Sequence, residues 1–196
     1  MTRAGLQGAR EARAQGGRRI LRGILLPFLL VFAFALPLDA GTDALQALGL
    51  QAPNEPLEAP AFGLLDLGGK RIQLKEFRGK LVFLNFFATW CGPCREEMPG
   101  MDRLYRAYQD KGLMILAVNM EESAKTVRPF VQELKLSFPA VLDAKGSVSR
   151  EYGIRALPVS FLVGRDGNIL WRAMGGREWD TPQLREYFAR VVAKKK

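Results

Sequence analysis

Histidine is absent from this chain, and cysteine occurs only twice in its 196 residues. A structural zinc site takes four protein ligands and a catalytic one about three, so the ligand count argues against a zinc centre within one chain. Charge of one sign is short as well: 20 acidic residues face 29 basic ones, a formal net charge of +9. That excess does not demand nucleic acid, because it sits at the ends. Arg3, Arg10, Arg13, Arg18, Arg19 and Arg22 face only Glu11, and Lys194, Lys195 and Lys196 close the chain, leaving the body near about +3. No internal repeat is visible. With 48% hydrophobic residues, the chain can bury one substantial core but not two full domains.

Both cysteines lie in Trp90-Cys91-Gly92-Pro93-Cys94, shortly after the apolar run Leu81–Phe87. A buried strand, then Cys-x-x-Cys, then helical periodicity places two thiols at a helix N-terminus, where amide donors and the helix dipole favour a thiolate. Proline is tolerated in the first helical turn, since its missing N–H would be unpaired there. Cys91 is therefore expected at the exposed cap, with Cys94 pointing inward, and the pair reads as a dithiol/disulfide redox centre.

The N-terminal arginines precede Ile24–Leu38, an uncharged, largely apolar run of 15 residues. A basic flank before an apolar core is the export-signal pattern, with the positive side left in the cytoplasm. As a helix the run spans about 22 Å, against about 30 Å of hydrocarbon, and extending it back to Ile20 with Arg22 snorkelling closes most of the gap. A signal anchor and a cleaved signal both fit. The expected organisation is a basic cytoplasmic N-terminus over 1–19, the signal or anchor over 20–38, a proline-punctuated tether over 39–58 with a short helical turn near Ala44–Leu50, and a folded domain over 59–196. That domain belongs outside the cytoplasm, in the periplasm or its equivalent, where disulfide chemistry is permitted.

Within the domain, Phe62–Leu67 and Arg71–Leu74 read as a hairpin, Leu81–Phe87 as a central strand, and Cys91–Asp110 as a helix interrupted at Pro99. Leu113–Val118 is a second buried strand. A helix over Thr126–Leu134, with Pro129 in its first turn, precedes a strand over Phe138–Leu142 and a helical turn over Val148–Tyr152. Val159–Val163 and Ile169–Ala173 pair across an Asp166-Gly167 turn. Thr181 caps a last helix, with Pro182 at its first position.

The Cys-Gly-Pro-Cys segment, the helix proline Pro99, and Ala156-Leu157-Pro158-Val159-Ser160-Phe161 before the Gly164-Arg165-Asp166-Gly167 hairpin resemble the thioredoxin fold. The N-terminal hairpin ending in Glu76-Phe77-Arg78-Gly79-Lys80, the Cys94-Arg95-Glu96-Glu97 continuation and the extra helix and strand over Glu121–Leu142 narrow the likeness. Together they resemble the TlpA/ResA/DsbE group of membrane-tethered, extracytoplasmic thiol-disulfide oxidoreductases over residues 59–193. The fold implied is α/β: a central mixed sheet flanked by helices, with an N-terminal β-hairpin and a central helix-strand insertion.

The resemblance implies that Cys91 forms the mixed disulfide with substrate and Cys94 resolves it. It also implies that Pro158 is cis and faces the pair, although sequence alone reads it as an ordinary strand-entry proline. Trp90, Gly92, Pro93 and Leu157 then line the substrate side. Thioredoxin proper has a buried aspartate where this chain has Asn85, which cannot take a proton. Glu97, on the same helical side as the cysteines, is the replacement base that the group's pattern implies, while Glu96 suits a solvated role. No cofactor or metal is expected beyond a Cys91–Cys94 disulfide.

The Gly-Pro dipeptide matches that of thioredoxin, a reductant at about −270 mV, so the expected direction is reduction of protein disulfides. The group's partners would be apocytochrome c as one substrate and a membrane electron donor of the DsbD or CcdA kind, with no nucleic acid. A reading from another class is Cu(I) handling by Cys91 and Cys94 with Met98 or Met101, soft ligands for a soft ion. A peroxiredoxin, suggested by the similar hairpin, would need a Thr/Ser-x-x-Cys arrangement after a proline that is missing here.

Overall fold

The computed structural model describes residues 40–194; the expected basic terminus and signal segment, 1–19 and 20–38, lie outside them. Among the described residues, no helix is long and apolar enough to cross a membrane. In chain order the elements are α1 (Ala40–Ala47), β1 (Gly63–Asp66), β2 (Arg71–Gln73), β3 (Leu81–Phe87), α2 (Gly92–Tyr108), β4 (Leu113–Met120), α3 (Ala124–Glu133), β5 (Ala140–Asp143), α4 (Ser147–Glu151), β6 (Val159–Val163), β7 (Ile169–Met174) and α5 (Pro182–Ala193).

The seven strands form one sheet in the order β2-β1-β5-β4-β3-β6-β7. β4 runs parallel to β3 and to β5, and the remaining neighbours pair antiparallel. All seven residues of β3 are buried, which explains its unbroken apolar run, since a strand covered on both faces has no polar side to show. Its alternate side chains divide the core. Leu81, Phe83 and Phe87 meet Met98, Met101 and Leu104 of α2 and Leu184 and Phe188 of α5. Val82, Leu84 and Phe86 meet Val148, Tyr152 and Phe161 on the other face. The expected thioredoxin-like α/β architecture is observed, and the hairpin β1–β2 extends the main sheet by pairing β1 with β5.

The helical turn expected near Ala44–Leu50 is α1, four residues earlier at its start, and several strand ends shift by one or two residues; two further departures involve prolines. α2 runs without interruption through Pro99; burial of Met98, Met101, Leu104, Tyr105 and Tyr108 on the sheet holds both halves despite the lost N–H. α3 begins two residues early because the Ser123 side chain caps it, accepting from Thr126 N, and Pro129 falls in its second turn.

The larger correction concerns 39–58, expected as a tether. Its second half is a strap packed on the domain. Leu50 is 2% exposed and belongs to the core under α2 and α5. Gln51 exchanges both backbone hydrogen bonds with Arg172 of β7, and Ile169 N and Ala59 N bond Leu57 O and Gly167 O. Pro53 and Pro56 fall between these anchors, where no N–H is called for. Leu50→Ala should therefore cost about 3 kcal/mol in urea unfolding, as a core leucine does; a loss below about 0.5 kcal/mol would return the strap to tether status.

Candidate active site

The strand β3 ends at Phe87, and three residues later the chain turns into α2 with Cys91 as its N-cap. Cys91 and Cys94 form a disulfide with their Cα atoms 5.3 Å apart, and Cys94 N donates to Cys91 Sγ at 3.3 Å. Cys91 keeps 5% of its surface exposed and Cys94 none. The cap position is as expected, but the expected exposure is not: Cys91 is nearly buried because it packs within the core cluster beneath α2. Pro93 occupies the first helical turn, where its ring costs no hydrogen bond.

Trp90, next to Cys91 in the chain, is 75% exposed, and the Leu157-Pro158 peptide is cis, as the resemblance implies. Leu157 and Pro158 line a depression of about 460 Å³ with Ile154, Arg155, Met174 and Gly175. Gly176 packs against Pro93 so closely that an added Cβ would stand 2.8 Å from the proline Cβ. This contact seats the 175–179 loop on the helix start. A second depression, of about 490 Å³, lies there between Pro93, Glu96, Glu97, Gly176, Arg177 and Glu178.

Glu97 is 3% exposed. Its Oε1 accepts from Asn85 Nδ2 at 2.7 Å, and its Oε2 from Trp179 Nε1 at 3.0 Å and Arg177 N at 3.3 Å. Asn85 Nδ2 also donates to Ser160 Oγ on β6. Burial holds the carboxyl up at about 7, against an ordinary 4.5, while the three donors and the Arg177 charge pull it down. Glu97 lies three residues past Cys94 on α2, so an ionisable group with a near-neutral proton affinity stands one helical turn on from the inner cysteine. Met98 and Met101 are fully buried in the core beneath α2.

Sequence reading overlooked a second carboxylate. Glu122 accepts from Thr89 N and Thr89 Oγ1, at 2.7 and 2.5 Å, and from Asn119 Nδ2 at 2.7 Å. It thereby ties the residues preceding Trp90 to the end of β4. Trp179 and Arg177 were also missed. Nothing local marks them, since they sit in a loop without periodicity.

A family model described as AhpC/TSA matches residues 57–172. The thiol-disulfide oxidoreductase ResA of Bacillus thuringiensis subsp. konkukian is 44% identical over 135 residues, covering 69% of this chain and 77% of the relative. This chain belongs to the ResA-like thiol-disulfide oxidoreductases of the AhpC/TSA family. ResA of Geobacillus thermodenitrificans is 46% identical over 111 residues, 57% of this chain and 64% of that protein. A solved thiol:disulfide interchange protein DsbE from Chlorobium tepidum superposes with a TM-score of 0.66 at 31% identity, covering 71% of this chain and 99% of that one. StoA from Bacillus subtilis superposes with a TM-score of 0.57 at 30% identity, over 68% and 99%. As a thiol-disulfide oxidoreductase, this ResA-like chain has one cysteine pair to work with, and that pair is the disulfide described above.

The raised Glu97 proton affinity has a thermodynamic sign. The folded protein holds this proton more tightly than the unfolded chain, so the associated stability is present below the ordinary carboxyl value and is lost as pH rises through about 7. Between about pH 4 and about pH 8, oxidised wild-type protein should lose about 3 kcal/mol more than Glu97→Gln in urea unfolding. Parallel curves for the two proteins would mean the carboxyl is effectively solvated.

Proposed function

We propose that this ResA-like chain is a reductase of protein disulfides acting outside the cytoplasm, tethered or exported through residues 20–38. Cys91 is the attacking thiol, Cys94 the resolving thiol, and Glu97 the group that takes the Cys94 proton. The observation that carries the reading is the asymmetry of the pair: Cys91 is the N-cap of α2 and keeps a sliver of exposed surface, while Cys94 is fully buried with a near-neutral carboxyl one turn on.

In the reduced enzyme the Cys91 thiolate, favoured by the helix N-terminus and the Cys94 N–H, attacks one sulfur of the substrate disulfide. A mixed disulfide forms and the substrate's other sulfur leaves as a thiolate. Glu97 then accepts the proton of Cys94, whose thiolate attacks Cys91 Sγ. The Cys91–Cys94 disulfide closes, the second substrate thiolate departs and is protonated, and two electrons have passed to the substrate. A carboxyl near neutrality suits this transfer, because a general base works best with its proton affinity near the working pH.

The exposed Trp90 and the depression at Leu157 and Pro158 supply the apolar rim on which a substrate segment rests, with Gly92 and Pro93 presenting backbone at the turn. The Gly-Pro dipeptide supports reduction over oxidation, and re-reduction falls to a membrane dithiol donor of the DsbD or CcdA type. Apocytochrome c is the substrate class suggested by kinship.

Cys94→Ser should trap the mixed disulfide with a disulfide-bearing protein, visible as a reductant-sensitive adduct, while Cys91→Ser should form none. Equilibration of the wild-type pair with glutathione or dithiothreitol should give a potential near or below about −220 mV; a value near about −120 mV would make the protein an oxidant and reverse the direction.

A further inference from the structure

We infer that Trp179 is a positioning residue for the redox reaction: its indole N–H holds Oε2 of Glu97 in place and sets how tightly that carboxyl keeps its proton. The inference deepens the proposed function and rests on Glu97 being the proton acceptor for Cys94.

A buried tryptophan needs a partner for its N–H, and the two buried indoles here find different ones. Trp171 donates to a neutral hydroxyl, Tyr187 Oη, at 2.8 Å. Trp179 donates to the Glu97 carboxyl at 3.0 Å, although it lies 82 residues away in sequence. The ring has little freedom to leave. It stacks on Trp171 at 5.8 Å between centroids, meets the edge of Phe83 at 4.7 Å, and carries the Arg177 guanidinium 5.2 Å from its centroid.

The loop that bears it is pinned in turn. Arg177 Nη1 donates to Leu48 O of the strap at 2.9 Å, and Asp180 pairs with Arg103 of α2 and Arg185 of α5. Fold-spanning contacts therefore converge on one hydrogen bond to the carboxyl one helical turn past Cys94.

Every atom bonded to Glu97 is an N–H donor: Asn85 Nδ2 from β3, Trp179 Nε1 and Arg177 N from the loop. A charged carboxylate accepts all three, whereas a protonated one turns a hydrogen toward them. The donors therefore favour the charged form and oppose burial. The charged and titratable groups facing Glu97 are the Arg177 guanidinium and, around the same depression, Glu96 and Glu178, with Cys91 and Cys94 on its own helix. Glu178 is itself paired with Arg103. Of these neighbours, Trp179 is the neutral side chain from the loop whose N–H can be removed without altering any charge.

The test follows the Glu97 carboxyl in the oxidised full chain by carbon NMR, assigned through Glu97→Gln. Trp179→Phe should raise its titration midpoint by about one pH unit or more, a tenfold gain in proton affinity, as expected for losing a donor to a charged group. A midpoint unchanged from wild type overturns the inference. Should Trp179→Phe fail to fold, the wild-type indole N–H signals serve. The Trp179 resonance should shift with the Glu97 midpoint and become flat in Glu97→Gln, while Trp171 stays constant; a flat Trp179 signal in the wild type overturns the inference. The underlying reading fails separately. A Glu97→Gln enzyme that reduces substrate with the wild-type pH profile would remove Glu97 from proton transfer, whatever the indole does.

Discussion

Keeping a carboxyl group out of water one helical turn from a buried cysteine is the constraint around which this fold is arranged. An ionised carboxylate in an apolar interior is costly unless hydrogen bonds surround it. Glu97 obtains its donors from the central strand through Asn85 and from the loop after β7 through Trp179 and the Arg177 amide. Ser160 on β6 steadies Asn85 in turn. Strand order matters to this arrangement: β6 lies beside β3, with Ser160 opposite Asn85 in the register. The packing of α2 across that sheet face brings the carboxyl to Asn85, one helical turn on from Cys94. Site and core are one construction, because the residues that bury Glu97 also fill the space between the sheet and α2.

The central insertion has a place in the same construction. Glu122, at its start, binds the backbone and hydroxyl of Thr89, two residues before Cys91. Further along, Asp102 of α2 accepts from Ser137 N and Oγ, and from Arg106 Nε. The insertion is thus fastened to the active-site turn at one end and to the active-site helix at the other. Its aromatic packing adds to this, since Phe130 of α3 stacks on Phe87 at the end of β3.

The redox pair, the strand before it, the helix after it and the hairpin after Pro158 were legible in the sequence, because each rests on local chemistry: a spacing of two between cysteines, an apolar run, a capping proline, an Asp-Gly turn. Glu97 was legible only through the family pattern, since a carboxylate three residues past Cys94 could equally face solvent. Its environment was not legible at all. Trp179 bonds across 82 residues and Arg177 across 129, and no periodicity reports such meetings. The strap failed to show for a related reason. Its composition, with Pro53, Asn54, Glu55 and Pro56 in succession, is that of a linker, and Leu45, Leu48 and Leu50 form too short an apolar group to announce the packed segment that follows.

That strap also governs what else the sheet can pair with. Strands at a sheet's rim present unpaired amides and carbonyls, a template for any extended chain. Along β7 the backbone of Arg172 is already bonded to Gln51, and Ile169 N to Leu57 O. The opposite rim, β2, is three residues long. With one rim occupied by its own chain and the other only three residues long, the sheet leaves little free edge for a foreign strand to extend.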